Sequence, residues 1–256
     1  MDLVPYLDFI KNTAFQAGRI SLDYYQKGIS AEVKIDNSPV TAADRAVEGF
    51  IRHQIEMTYP GHAILGEEYG TDSQAGKSIR WIIDPIDGTK SFMRGIPLYG
   101  VLIGMEVDGI VRVGAAYYPA LDEMLWAADG EGCWWNGRRA RVSNISKLEE
   151  AFVCYTSVRD MDKEGHHRLW SHLKQKAYAL RGWSDAYGYL AVATGRAEVM
   201  LDPVMKIWDC GPFPPIFREA GGYFGSWGGK EGHMHGEALA CNASLLHILT
   251  SLQSEN

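Results

Sequence analysis

Apolar residues recur along the start of the chain at steps of three and four: Leu3, Leu7, Ile10, Ala14, Ala17, Ile20 and Tyr24. That spacing gathers them on one face, so it predicts an amphipathic helix over residues 3–26, ended by Gly28. After the loop signal Asp36-Asn37-Ser38-Pro39, Thr41 is suited to cap a second helix over 42–57, which Pro60-Gly61 breaks. The apolar runs then shorten. Ala63-Ile64-Leu65 and Trp81-Ile82-Ile83 are too brief for helices and read as buried strands. Residues 99–107 and 110–118 flank Asp108-Gly109, and 123–128 and 132–135 flank Asp129-Gly130, so two hairpins are expected, with a further turn at Asn136-Gly137. Around 143–150 the chain turns polar. Beyond it, strands at 152–157, 177–180, 198–200 and 238–240 alternate with helices at 166–175, 184–194 and 243–252, and with one that follows Asp209 and stops at Gly221-Gly222. The plan is α+β in front and α/β behind, with subdomains over 1–145 and 146–256.

Composition narrows the function classes. The 256 residues, 46% hydrophobic and 22% charged, can bury a sizeable core as one large domain or two modest ones. A net charge of −7 with no Lys/Arg run argues against general nucleic-acid binding. No window approaches the roughly 18 apolar residues that cross a bilayer, and the first residues lack the basic and apolar stretches of a secretion signal. Cys133, Cys154, Cys210 and Cys241 form no CxxC pair, which disfavours a zinc knuckle or a disulfide framework. A cytoplasmic protein with no membrane partner is expected.

The most informative stretch is residues 81–89, where the run Trp81-Ile82-Ile83 ends in Asp84 and Asp87 with Pro85 between them and Gly88-Thr89 behind. Pro85 fixes its own φ and restricts its neighbour, so the backbone turns and both carboxylates can face one point. Two uncompensated carboxylates at a buried strand end repel each other and resist desolvation. A bound cation removes both problems. The Gly88 and Thr89 amides, at the start of a helix, offer a place for an anion. Metal and phosphate are thus indicated together. Other acids read less sharply when taken alone: Glu67 as an exposed loop acid, Asp209 as a helix N-cap and Asp44 as the partner of Thr41 in a capping box. His166-His167 reads as a solvated helix face, His233 and His235 as surface loop residues, and Trp134, Trp135 and Trp227 as core or interface. Lys34 reads either as exposed or as part of a loop near the phosphate.

The ordered series Pro39-Val40-Thr41-Ala42-Ala43-Asp44, Gly66-Glu67-Glu68, residues 81–89, and Trp208-Asp209 followed by Glu219-Ala220-Gly221-Gly222 resembles the inositol monophosphatase family. These are Mg²⁺-dependent, lithium-sensitive phosphomonoesterases. The resemblance implies a layered αβαβα sandwich of the inositol monophosphatase and fructose-1,6-bisphosphatase type, commonly a homodimer. It implies that Glu67, Asp84 and the Ile86 carbonyl hold a first Mg²⁺, that Asp84, Asp87 and Asp209 hold a second, and that a third, weaker ion lies near Glu67. By the same likeness Asp44 pairs with the Thr89 hydroxyl, and the two orient and deprotonate an attacking water. Gly88 and Thr89 would hold the phosphate. With no Cys or Ser set for a covalent intermediate, direct in-line attack by metal-activated water is expected.

Substrate choice is expected in the second half. Asp202 stands where inositol-specific members carry a Glu, and its shorter side chain beside Pro203 fits inositol poorly; it reads equally as a turn residue. Trp183-Ser184-Asp185-Ala186-Tyr187-Gly188-Tyr189, together with Asp84–Phe92, looks closer to the histidinol-phosphate phosphatases of the family. Asp185 would give the ammonium or imidazole of that ester a charge-assisted partner, or else simply cap a helix. The expected substrate is L-histidinol phosphate, hydrolysed on the route to histidine, with an inositol or sugar phosphate as the alternative. A metal-binding protein without turnover is a third possibility, which the retained Asp44 and Thr89 disfavour.

Overall fold

Helical and strand periodicities sort the chain into five layers. The computed structural model describes residues 1–28, 32–33, 39–71, 78–161, 165–183 and 185–254. Helix α1 (Val4–Leu22) is followed by the short ladder β1 (Glu32–Val33) and β2 (Pro39–Val40), then helix α2 (Ala42–Thr58). Strands β3 (Ala63–Gly66), β4 (Gly70–Thr71) and β5 (Ile79–Asp87) precede the short helix α3 (Thr89–Met93). Strands β6 (Gly100–Val107), β7 (Ile110–Tyr118), β8 (Glu123–Ala128), β9 (Gly132–Trp135) and β10 (Arg138–Arg139) follow. The second half runs β11 (Phe152–Tyr155), α4 (Val158–Met161), α5 (His167–Lys176), β12 (Ala179–Arg181), α6 (Ala186–Ala193), β13 (Val199–Asp202) and α7 (Ile207–Cys210). It closes with α8 (Phe213–Ala220), β14 (Gly222–Gly225), β15 (Ala238–Asn242) and α9 (Ala243–Ser254).

Among the described residues, one sheet has the order β10-β9-β8-β7-β6-β5-β3-β4 and the other β12-β11-β13-β15-β14. In the first, only β3 and β5 run parallel; in the second, β11 is parallel to β12 and β13, while β15 is antiparallel to its neighbours. Alternation along the strands assigns the faces. Trp81, Ile83, Val101 and Ile103 pack against Ile10, Ala14, Val47 and Ile51 of α1 and α2. On the opposite face, Leu102, Ala116 and Leu125 meet Leu190 of α6, Phe213 and Phe217 of α8, and Met200 and Ala240 of the second sheet. The far face of that sheet, through Val199, Leu201 and Leu239, is covered by Leu169 and Leu173 of α5 and by Leu245 and Leu249 of α9. The result is an α-β-α-β-α sandwich of mixed sheets. No helix among the described residues is long and apolar enough to cross a membrane. All four cysteines are buried as free thiols.

Two glycines bring the second half close to the first. A Cβ at Gly104 would fall 2.3 Å from the Gly211 carbonyl oxygen, and one at Gly114 would fall 2.2 Å from that of Pro212. Bare backbone at these points of β6 and β7 lets the α7–α8 junction lie against the sheet.

The structure corrects several sequence expectations. Strand β5 does not end at Ile83 but continues to Asp87, pairing Asp84 with Leu102 and Asp87 with Gly100 across a register shift that accommodates Pro85. The helix expected to follow Asp209 begins before it, at Ile207, with Lys206 rather than Asp209 as N-cap, and it is split into α7 and α8 because Pro212 has no N–H with which to continue α7. Gly222, read with Gly221 as the helix stop, also opens strand β14, since β15 supplies its partner. His233 is buried, its Nε2 3.0 Å from Glu106 Oε2, an oxygen that also accepts from Arg80 Nη2 at 2.8 Å. Burial would raise the Glu106 carboxyl, but these two partners outweigh it and hold it below its usual range. His166 is half-buried against Trp227, ring centroids 4.3 Å apart, while His167 is exposed. Lys34, the loop at 36–38 and Ser184 lie outside the described residues.

Candidate active site

Parallel pairing of β3 with β5 sets Gly66 opposite Ile83, so Glu67 and Asp84 emerge side by side from neighbouring strands. Three residues on, beyond the register shift, β5 delivers Asp87. Helix α7 brings Asp209 in from the second half, held at the first turn by a hydrogen bond from the Lys206 amide to Oδ2 at 2.7 Å. One carboxylate oxygen from each of Asp84, Asp87 and Asp209 lies within 4.8 Å of the others. Above them opens a cavity of about 280 Å³ lined by Glu67, Asp87, Gly88, Thr89, Asp185 and Asp209, together with Lys90, Val204, Lys206 and Trp208.

Such crowding is electrostatically unfavourable without a cation, and the carboxyl groups register it. Burial pushes Asp84 well above the ordinary carboxylate range, and Glu67, Asp87 and Asp209 push it further. Burial also raises Asp87, with Asp185 and Asp209 adding to the effect. Asp209 is pushed up to about 6, chiefly by burial and against the Lys206 amide bond. Asp44, fully buried at the start of α2, is likewise raised to about 6 by burial, against the hydrogen bonds that Thr41 donates. Hard oxygen donors converging with so much unbalanced negative charge fit a small divalent ion.

Asp44 forms the expected capping box: its Oδ2 accepts from the Thr41 amide at 2.8 Å and from the Thr41 hydroxyl at 2.6 Å. Its other oxygen, Oδ1, is buried with no hydrogen-bond partner among the described residues. The direct Asp44–Thr89 pair expected from the resemblance is not formed. Thr89, in the first turn of α3, meets the carbonyl three residues back and donates to Ile86 O at 3.1 Å. The Ile86 side chain points into the core, its amide donates to Asp84 Oδ1 at 3.0 Å, and its carbonyl accepts from the Thr89 hydroxyl. Gly88 has φ +83°, and a Cβ there would lie 2.9 Å from Leu98 O and 3.2 Å from Asp185 Oδ2. Glycine is therefore required.

Asp185 and Asp202 part company. Asp185 stands at the N-cap position of α6 but makes no capping hydrogen bond; its φ of 55° and ψ of −154° are costly for a residue with a Cβ. The next amide, Ala186 N–H, donates to Asp87 Oδ2, which ties this segment to the acidic cluster. Asp202, at the end of β13, is buried instead; its Oδ2 accepts from Thr156 Oγ1 at 2.6 Å, and it is absent from the described cavity wall. Sequence reading missed Lys90, Val204, Lys206 and Trp208, although Lys90 directly follows Thr89 and the others flank Asp209.

The model of the inositol monophosphatase family matches residues 2–255. The chain belongs to the inositol monophosphatase family. Its members are Mg²⁺-dependent, and this one is a hydrolase of phosphate esters. A histidinol-phosphatase from Chlorobaculum parvum is 39% identical over 93% of this chain and 92% of its own. One from Mycobacterium tuberculosis is 36% identical over 87% and 88%. Among solved structures, the extragenic suppressor protein suhB from Bartonella henselae superposes with a TM-score of 0.91 at 25% identity, covering 98% of this chain and 99% of that one.

Proposed function

We propose that this phosphatase acts on L-histidinol phosphate and that Asp185 recognises the cationic end of that ester. Asp185 carries the reading: a carboxylate on a strained backbone, lining the wall of a small cavity beside the acidic cluster and next to Gly88. Strain of this kind persists only where surrounding structure imposes it, and here it keeps a negative group facing the space a substrate would fill. A histidinol ammonium or imidazolium gives that group a charge-assisted partner; the hydroxyls of inositol give it less. The names of the two relatives above support the same choice.

In this reading Glu67, Asp84, Asp87, Asp209 and the Ile86 carbonyl hold magnesium. When bound, the ion supplies positive charge against the phosphoryl group and acidifies water. The protein does the rest. The Gly88 and Thr89 amides and Lys90 orient the phosphate at the cavity wall. Asp44, with one oxygen saturated by Thr41 and one unengaged, takes a proton at Oδ1, and the Thr89 hydroxyl steers the water that loses it. Asp202 supports the site from behind through Thr156 rather than touching substrate.

Phosphate release from histidinol phosphate, inositol 1-phosphate and fructose 1,6-bisphosphate, measured side by side with and without Mg²⁺, tests the proposal. Histidinol phosphate should have the highest kcat/KM, and Asp185→Asn should lower it by about 10- to 100-fold while leaving the neutral-alcohol esters within threefold, in keeping with the loss of a charge-assisted hydrogen bond. Preference for inositol phosphate, or equal loss on all three esters, would reject the substrate assignment.

A further inference from the structure

Helix α2 carries two carboxylates one turn apart on its buried face, Asp44 and Glu48. Asp44 keeps an unengaged oxygen, but Glu48 is saturated. Its Oε2 accepts from the Glu68 amide at 2.7 Å, and its Oε1 accepts from the Tyr69 amide at 3.2 Å and from Arg52 Nε at 2.7 Å. Arg52, a further turn along α2, donates from Nη2 to the Gly70 carbonyl and lies 5.8 Å from the Tyr69 ring centroid. Gly66, the last residue of β3, has no side chain for a matching reason: a Cβ there would fall 2.0 Å from Glu48 Oε1. On the other side, the Glu67 amide donates to Ile83 O at 3.2 Å, one residue before Asp84. The backbone of Glu67 is thus pinned by β5 on one side and by α2 on the other.

A buried ion pair is costly unless its remaining bonding capacity is used. Here that capacity goes almost wholly to backbone groups of the single turn 68–70, and the turn follows a residue on the cavity wall. We propose that Glu48, locked by Arg52, is a positioning residue that holds this turn so that the Glu67 carboxylate faces Asp84 and Asp209 and completes the magnesium site. The proposal rests on the metal-dependent phosphatase reading above. One helix then sets two parts of the site at once, presenting Asp44 directly and Glu67 through its backbone. Partners that orient metal-ligating groups typically change metal affinity by about 10- to 100-fold when removed.

Metal-free wild type, Glu48→Gln and the double variant Glu48→Gln/Arg52→Gln are to be titrated with Mg²⁺ by calorimetry, with folding checked by thermal melts in EDTA. The double variant leaves no buried ion unpaired, so it reports even where the single variant does not fold. Both should bind Mg²⁺ about 10- to 100-fold more weakly than wild type. The Mg²⁺ concentration for half-maximal rate should rise by the same factor, while KM for the phosphate ester at saturating Mg²⁺ stays within about twofold of wild type. Glu48→Asp, which keeps the charge, should recover part of the affinity. Unchanged Mg²⁺ affinity in a folded variant, or a loss confined to kcat at saturating Mg²⁺, overturns the positioning role. A wild type that hydrolyses the ester yet takes up no Mg²⁺ overturns the metal reading instead.

Discussion

A carboxylate stripped of water prefers to keep its proton, and Asp84 shows how far this site goes against that preference. It is 1% exposed, pushed upward by burial and by Glu67, Asp87 and Asp209, and relieved within the chain by the Ile86 amide. Thr89 is the simplest probe of how the acids are used. Its hydroxyl donates to the Ile86 carbonyl and belongs to none of the carboxylates. Replacing it by alanine should cost more in turnover than in metal binding: kcat falls by about 10²- to 10⁴-fold, the usual scale for loss of a proton-handling group, whereas Mg²⁺ affinity falls by no more than the roughly 10- to 100-fold typical of a partner of a ligating group, here the Ile86 carbonyl. Calorimetry and phosphate release on one preparation check both halves; undiminished turnover would mean that the hydroxyl is idle. At this scale Asp84 and Asp87 were legible because a motif packs them with Gly88 and Thr89 into six residues, whereas Glu67, Asp209 and Asp44 stood out only through the family resemblance. Glu48 was not, since a helical Glu four residues before an Arg is an ordinary surface pair until the Gly66 turn lies over it. His233 escaped likewise: its partner Glu106 is distant in sequence, and only folding brings the two together.

Among the elements, α7 is the shortest with a decisive task, and its placement depends on side chains that are missing elsewhere. Gly104 and Gly114 let residues 211–212 approach β6 and β7, which puts Asp209 within reach of β5. Gly104→Ala meets a carbonyl oxygen rather than a flexible side chain, so the α7–α8 junction must move. A loss of about 1–3 kcal/mol, the usual cost of overpacking, is expected in chemical denaturation, accompanied by weaker Mg²⁺ binding as Asp209 retreats. Normal stability with normal Mg²⁺ affinity would show that the junction is not held there. The two hairpins could be read in advance because their turns are locally determined: Asp108 and Gly109 adopt φ of 50° and 83°, as a two-residue turn with both central residues left-handed requires. The split between α7 and α8, and the strand β14, could not, because proline chemistry allows either a first turn or a break, and β14 exists only through β15.

For the molecule as a whole, five layers bring carboxylates from both halves of the chain to one point, and the electrostatic consequence reaches its stability. Asp44 and Asp209 are raised to about 6 when folded, and burial raises Asp84 and Asp87 well above the ordinary carboxylate range. Between the ordinary carboxylate value near 4 and these folded values, the native state holds more protons than the unfolded chain. Without metal, their contribution is therefore greatest at acid pH and is lost as pH climbs through about 6. In the proposed site magnesium needs Asp84, Asp87 and Asp209 deprotonated, so its binding strengthens over the range in which the metal-free protein weakens. The gain in Tm on adding saturating Mg²⁺ should accordingly grow by at least about 5 °C between pH 5.5 and pH 7.5, given roughly 2–4 °C per kcal/mol for a chain of this size. Parallel melting curves with and without Mg²⁺ would show that the acids do not share an ion.

The space that Gly66 leaves for Glu48 also constrains how relatives of this protein can diverge. A side chain at position 66 is admissible only once position 48 has shrunk, and shrinking position 48 first strands the guanidinium of Arg52 away from its acid. Each single step descends before the next can climb. Lineages should therefore keep positions 48, 52 and 66 together or exchange them together, and intermediate combinations should be scarce.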